Sequence, residues 1–247
     1  MTSFEPPEID EVRVLWRDEH ALVVDKPWGV LVHNSAFAGP KERSLKQALE
    51  AQEGPPLQPL HRLDRGTSGA TVFLRDAGTQ EDWRAALEAG AKVYLAVVRG
   101  HATFPETVIE RPLRDERGVE QPARSVARVV AQSPVARCSL VEVKIETGRT
   151  HQIRRHLSGL HHPVVGDTTH GDTKFNRAIG ELLGRRRLLL HAWTLHLRHP
   201  VTGALHQWTA DLTGEREEDL VRLFPDTLPL SASSWNPSAS STPSGSA

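Results

Sequence analysis

HRLDRGTSGATVFLRD, residues 61–76, opens as a loop and closes as a strand. Asp64 stands between Arg62 and Arg65, and Thr67-Ser68-Gly69 has the composition of a turn. Ala70 to Leu74 is then a short apolar run with β-branched and aromatic residues, which predicts a strand. A carboxylate flanked by guanidiniums stays ionised. It suits a nucleophile or a charge stabiliser and is a poor general acid. A structural ion pair or a turn cap would use the same residues.

Outward from this stretch the pattern alternates. Residues 12–26 read as a hairpin, with Val12, Val14 and Trp16 before a turn at 17–20 and Ala21-Leu22-Val23-Val24 after it. Ser44 is an N-cap for a helix to Gln52 with Leu45, Ala48 and Leu49 inward. A second helix spans 79–89 on Trp83, Ala86 and Leu87 and is closed by Gly90. Strands follow at 93–98, 124–131 and 138–145. Thr150 to Ser158 reads as a helix anchored by Ile153 and Leu157, and another helix lies near 173–183. Strands at 187–197 and 205–210 and a helix at 215–223 complete the series. Strands outnumber helices and many join through turns. The expectation is an α/β (α+β) fold on a long mixed, mostly antiparallel sheet. Residues 1–10 read as a loose arm, 11–230 as one catalytic domain, and 231–247, with eight serines, as a disordered tail.

The chain has 247 residues and a net charge of −1, so its total charge does not mark a nucleic-acid binder. The charge is uneven, however: residues 140–200 hold ten Lys/Arg against five Asp/Glu, and eight of the 13 histidines. Cys138 is the single cysteine, as suits a reducing cytoplasm. No apolar run approaches the ~18 residues of a membrane helix.

Three constellations carry chemistry. Asp64 is the first. The second is ETGRTHQIRRHLSGLHHPVVGDTTHGD, residues 146–172. Its Arg154 sits at the border of the helix stripe, where a guanidinium reaches a carboxylate on another element. Arg149, His151 and Arg155 add donors suited to phosphate. His156, His161, His162, Asp167, His170 and Asp172 invite a metal reading. The spacing lacks a paired-histidine helix with an adjacent glutamate, and lacks a cysteine cluster, so no metal is expected. The third is KVYLAVVRG, residues 92–100, with Tyr94 the only tyrosine. Core packing explains a strand tyrosine as well as a working hydroxyl does.

In order along the chain, KPWGVLVH, HRLDRGTSG, KVYLAVVRG and TGRTHQIRRHL…HPVVGD resemble the RluA-type family of pseudouridine synthases, over about residues 12–212. The resemblance implies a bent mixed sheet with a central RNA cleft. It also implies conversion of uridine to pseudouridine without cofactor or metal. Carried over by position, Asp64 is implied as the catalytic aspartate. Tyr94 packs on the target base and is proposed to assist proton removal, and Arg154 pairs with the aspartate. Arg62 is implied to enter the RNA stack, Lys26 with Pro27 to support the cleft, and Leu157 to border the pocket. Arg149, Arg155 and the 185–187 arginine run are candidates for phosphate contacts. Many members carry an extra RNA-binding domain before the Lys-Pro motif; with 25 residues ahead of Lys26, it is not expected here. The run from Arg154 to Arg177 resembles the branch that modifies uridine-65 of tRNA. The alternatives are a ribosomal-RNA or dual-specificity synthase and a catalytically silent RNA-binding protein. A cytoplasmic monomer with no membrane partner is expected.

Overall fold

The computed structural model describes residues 9–34, 42–227 and 230. The elements are, in chain order, β1 (Arg13–Arg17), β2 (Ala21–Lys26), α1 (Leu45–Glu53), β3 (Gln58–Pro59), β4 (Ser68–Leu74), α2 (Gln80–Ala89), β5 (Ala91–Arg99) and β6 (Glu106–Ile109). There follow β7 (Leu113–Arg114), β8 (Glu120–Gln121), β9 (Ser125–Gln132), β10 (Cys138–Ile145), α3 (Gln152–Gly159), α4 (Thr173–Leu183), β11 (Leu190–Arg198), β12 (Leu205–Thr209) and α5 (Glu215–Leu223). The tail expected over 231–247 and most of the expected arm lie outside the described residues, although Ile9 is already buried in the core.

Ten strands form one sheet in the order β1-β2-β4-β11-β5-β10-β9-β6, with β12 added on β11 and β3 on β4. Every pairing is antiparallel except β4 with β11. The mixed, mostly antiparallel sheet is therefore as expected. β11 is the branch point. Along one edge His191 and Ala192 pair with β4, and Thr194 to Arg198 pair with β12.

Strand periodicity sorts the core into two faces. On β5, Tyr94, Ala96 and Val98 face a cluster shared with Leu45 and Leu49 of α1 and Ile153 and Leu157 of α3. The alternate residues Val93, Leu95 and Val97 face α4 and α5 through Ile179, Leu183, Leu220 and Leu223. Below β4, Val72 and Leu74 meet Trp83 and Leu87 of α2. With both faces covered, β4 is buried at every residue, which is why its sequence reads as a continuous apolar run rather than an alternation.

The helix ends follow their chemistry. Ser44 caps α1 as the sequence predicts, and Gln47 completes a reciprocal capping box with it. Gly90 does close α2, but for a different reason: a Cβ there would lie 2.1 Å from the His196 carbonyl oxygen of β11, so the glycine allows close approach of the backbones. α3 starts at Gln152 rather than Thr150, because His151 adopts a left-handed backbone at φ 53°. The strand expected from 187 begins at Leu190; Leu189 instead bridges Val97 and Val165 by single backbone bonds.

Candidate active site

The turn carrying Asp64 is fixed from below. Thr67 N–H donates to the Asp64 carbonyl at 3.0 Å, closing the turn into β4. Gly69, at φ 111°, brings β4 so close to β11 that a Cβ would sit 2.1 Å from the Ala192 carbonyl oxygen. Lys26, at the end of β2, is fully buried. Its ammonium donates to the carbonyls of Pro27 at 2.9 Å, Val30 at 2.7 Å and Arg65 at 3.1 Å. Three donors thus meet three acceptors, and the loop after β2 is stapled to the residue following Asp64. Burial pushes Lys26 down to about 7, while the Asp64 charge pulls it the other way. With no exposed surface of its own, Lys26 shapes the loop next to Asp64. Leu157, expected to border the pocket, is buried in the core on α3. We expect Lys26→Met to strand three carbonyls and cost about 2–4 kcal/mol. Thermal melting checks this; an unchanged Tm would show that the staple is dispensable.

Arg154 projects from α3 and is 7% exposed, deeper than the core–solvent border expected. Its Nη1 donates to Asp64 Oδ2 at 2.8 Å. Its Nε and Nη2 donate to the two oxygens of Asp167 at 2.7 and 2.8 Å. The Asp167 side chain is fully buried and also accepts from the N–H groups of Thr169 and His170, both at 2.9 Å. Burial alone would raise the Asp167 pKa; the Arg154 guanidinium and those two N–H groups outweigh it and hold the carboxyl at about 2. A bidentate fork aims one remaining N–H at Asp64, so the arginine's direction is set before any substrate arrives. Asp64 itself keeps 31% of its side chain exposed, and His151 Nε2 lies 3.8 Å from the same oxygen.

Tyr94 comes up from β5 on this face and is nearly buried. Burial, and then the negative charge of Asp64, raise its hydroxyl well above the usual phenol value. The phenol is therefore neutral at working pH, and offers a ring face and a proton rather than a ready base.

The remaining basic residues divide. Arg62 is exposed, and no carboxylate among the described residues pairs with it. Arg149 and Arg155 turn to the β7–β8 side, donating to the carbonyls of Pro122 at 3.0 Å and Arg114 at 2.9 Å. Arg185 and Arg187 are taken up by acids of α5: Arg185 by Glu218 at 2.5 Å, and Arg187 by Asp219 at 2.5 Å. Arg186 is exposed between them. It lines a cleft of about 650 Å³ with Trp28, Arg65, Arg154, Asp167 and Arg177, a volume in the range of ligand sites.

Among the described residues no group of three or more His, Cys, Asp and Glu is placed to hold a metal. The side chains that suggested one have other partners. Asp167 holds Arg154, His156 meets Ser125 and the Arg111 carbonyl, and Asp172 caps α4. Asp167 as the anchor, and His151 and His170 beside the carboxylate, are what the sequence alone missed. The one signal for Asp167 was its place after the His-Pro-Val-Val-Gly run.

Known proteins resemble this chain in sequence and in fold. The family model described as "RNA pseudouridylate synthase" matches residues 20–159. Proteins named tRNA pseudouridine synthase C are 36% identical over 228 residues in Pectobacterium carotovorum subsp. carotovorum and 36% over 220 residues in Yersinia pestis. Each match covers 81% of this chain, and they span 60% and 86% of the respective relatives. The solved structure of human RNA pseudouridylate synthase domain containing 1 aligns with a TM-score of 0.67 at 26% identity, over 84% of this chain and 86% of that one. The human domain containing 4 aligns at 0.69 and 23% identity, covering 85% and 92%, and shares the fold. The mixed, mostly antiparallel sheet together with these matches defines an RNA-modifying isomerase. The chain belongs to the RNA pseudouridylate synthase family.

Proposed function

We propose that the chain isomerises uridine-65 of tRNA to pseudouridine, with Asp64 as the catalytic carboxylate. The observation that carries the catalytic part is the Asp64–Arg154 bond at 2.8 Å, itself anchored on Asp167. The tRNA part is supported by the printed names of the relatives. Isomerisation breaks N1–C1′, turns the uracil and joins C5 to C1′. C1′ becomes electron-poor as the bond breaks. The carboxylate can attack C1′, help remove the 2′ proton, or stabilise positive charge; each role needs Asp64 unprotonated. Arg154 donates to it at 2.8 Å, and Tyr94 offers a ring face for the extruded base.

Extrusion costs a few kcal/mol, and base stacking on an aromatic ring returns about 1–3 kcal/mol. Phosphate contacts supply the remainder. Arg62, Arg177 and Arg186 are exposed, and no carboxylate among the described residues pairs with them; two of the three line the cleft beside Arg154. We expect Arg177→Glu with Arg186→Glu to raise KM about tenfold, leave kcat near wild type, and flatten the salt dependence of binding by about one unit of slope per guanidinium. Unchanged binding would place the RNA elsewhere.

The reaction is a net isomerisation and balances without oxidant or reductant. We read the chain as a cytoplasmic monomer working without cofactor or metal; insensitivity to EDTA and a monomeric mass in solution are the expected results. The deciding experiment uses tRNA and rRNA carrying uridine tritiated at C5. Tritium release from tRNA, with carbodiimide-dependent primer-extension stops at position 65, supports the proposal. Stops only in rRNA would favour the ribosomal alternative. No release by wild-type protein that still binds RNA would favour the silent binder.

A further inference from the structure

His151 has a costly backbone. A non-glycine residue in the left-handed region gives up about 1–3 kcal/mol, and here it adopts φ 53° and ψ 28° at the N-cap of α3, just before Gln152. Helix capping does not account for it, because the side chain makes no cap hydrogen bond. The imidazole instead runs between two partners. Its Nδ1 lies 3.1 Å from His170 Nε2, and its Nε2 faces Asp64 Oδ2 at 3.8 Å. His170 is held in turn: its N–H donates to Asp167 Oδ1 at 2.9 Å, and its carbonyl accepts from Ser158 Oγ at 2.9 Å. Asp167 therefore orients both Arg154 and the histidine pair.

The Asp64 side of His151 is too far for a hydrogen bond. That distance fits a tautomer in which Nδ1–H donates to His170 and Nε2 is a bare lone pair. Burial lowers the His151 pKa, Asp64 and Asp167 raise it, and Arg154 and Arg155 lower it; His170 is lowered by burial first. The imidazole is neutral at physiological pH. Its neighbours cannot take a proton as readily: Arg154 is held protonated by two carboxylates, and Tyr94 is a deeply protonated phenol.

We propose that His151, backed by His170, carries the proton that C5 must lose. Once C5 has joined C1′, Nε2 takes the C5 proton, and the C–H electron pair re-forms the C5=C6 double bond. The N1=C6 electrons move to N1, which receives the proton. Nothing is consumed, and the transient imidazolium lies beside the Asp64 carboxylate. The proposal rests on the pseudouridine synthase reading, with His151 added to its machinery.

His151→Gly and His151→Asn both tolerate a left-handed backbone, so the fold is expected to survive. Turnover on C5-tritiated tRNA is measured from pH 5 to 9. We expect kcat to fall roughly 10²–10⁴-fold with KM within threefold, the acid limb of the wild-type profile to vanish, and added imidazole to restore part of the His151→Gly rate. His170→Gln should shift that limb. Wild-type rates and profile in both His151 variants would overturn the proposal. So would a loss of rate that imidazole leaves unrescued while the acid limb persists. Failure of the wild-type protein to release tritium would instead defeat the underlying reading.

Discussion

Asp64→Asn is expected to abolish turnover while RNA binding persists. The substitution is nearly isosteric, and the side chain is 31% exposed, so no charge is stranded in the core. Arg154 can still donate Nη1 to the amide oxygen, and its two bonds to Asp167 are untouched. What disappears is the negative charge that the electron-poor C1′ requires. Removing a nucleophile elsewhere costs roughly four to six decades in kcat, and a loss of that order is expected in tritium release. The dissociation constant for tRNA should stay within about threefold, and Tm within a few degrees. Activity within tenfold of wild type would mean that another group performs the chemistry.

Arg154→Ala should damage both activity and stability. It deletes three charge-assisted hydrogen bonds and leaves the fully buried Asp167 carboxylate without its cation. Breaking a buried pair this way costs about 3–5 kcal/mol, a drop in Tm on the order of 10 °C for a chain of this size. The pH dependence gives a second signature. In the wild type Asp167 is depressed to about 2, so the stability it contributes is present above the unfolded value and is lost as pH falls toward about 2. In the variant, burial acts without the guanidinium, the Asp167 pKa rises, and protonation relieves the folded state. The Tm gap between the two proteins should therefore be widest near neutral pH and narrow as the medium is acidified. Adding Asp167→Asn to the variant should recover part of the loss. An unchanged Tm in Arg154→Ala would contradict the anchored pairing.

Much of this arrangement was legible because it rests on local patterns. The strands at 138–145 and the helix at 215–223 were read to their ends, and Ser44 was read as a cap from the apolar helical spacing of Leu45, Ala48 and Leu49 behind it. The hairpin of β7 and β8 was missed, since two-residue strands carry no periodicity. The start of α3 was read two residues too early, at Thr150, because nothing in the residue type announces that His151 turns left-handed. In the site, helix position marked Arg154 as able to reach a carboxylate on another element, and the family resemblance implied Asp64 as that carboxylate. Asp167 was weighed only as a metal ligand, because its role depends on tertiary placement opposite α3. Lys26 shows the same dependence: only the folded structure brings the carbonyls of Pro27, Val30 and Arg65 together on its buried ammonium. In the 185–187 run all three arginines line the cleft, but Arg185 and Arg187 are bonded to acids of α5, and Arg186 alone is exposed.

The most direct test is a structure of the Asp64→Asn protein bound to a uridine-containing T-stem-loop RNA. The account predicts an extruded uridine with its C1′ about 3–3.5 Å from the residue 64 side chain, its base over Tyr94, and Arg154 still forked onto Asp167. A target uridine left stacked in its helix, with its ribose remote from residue 64, would contradict it.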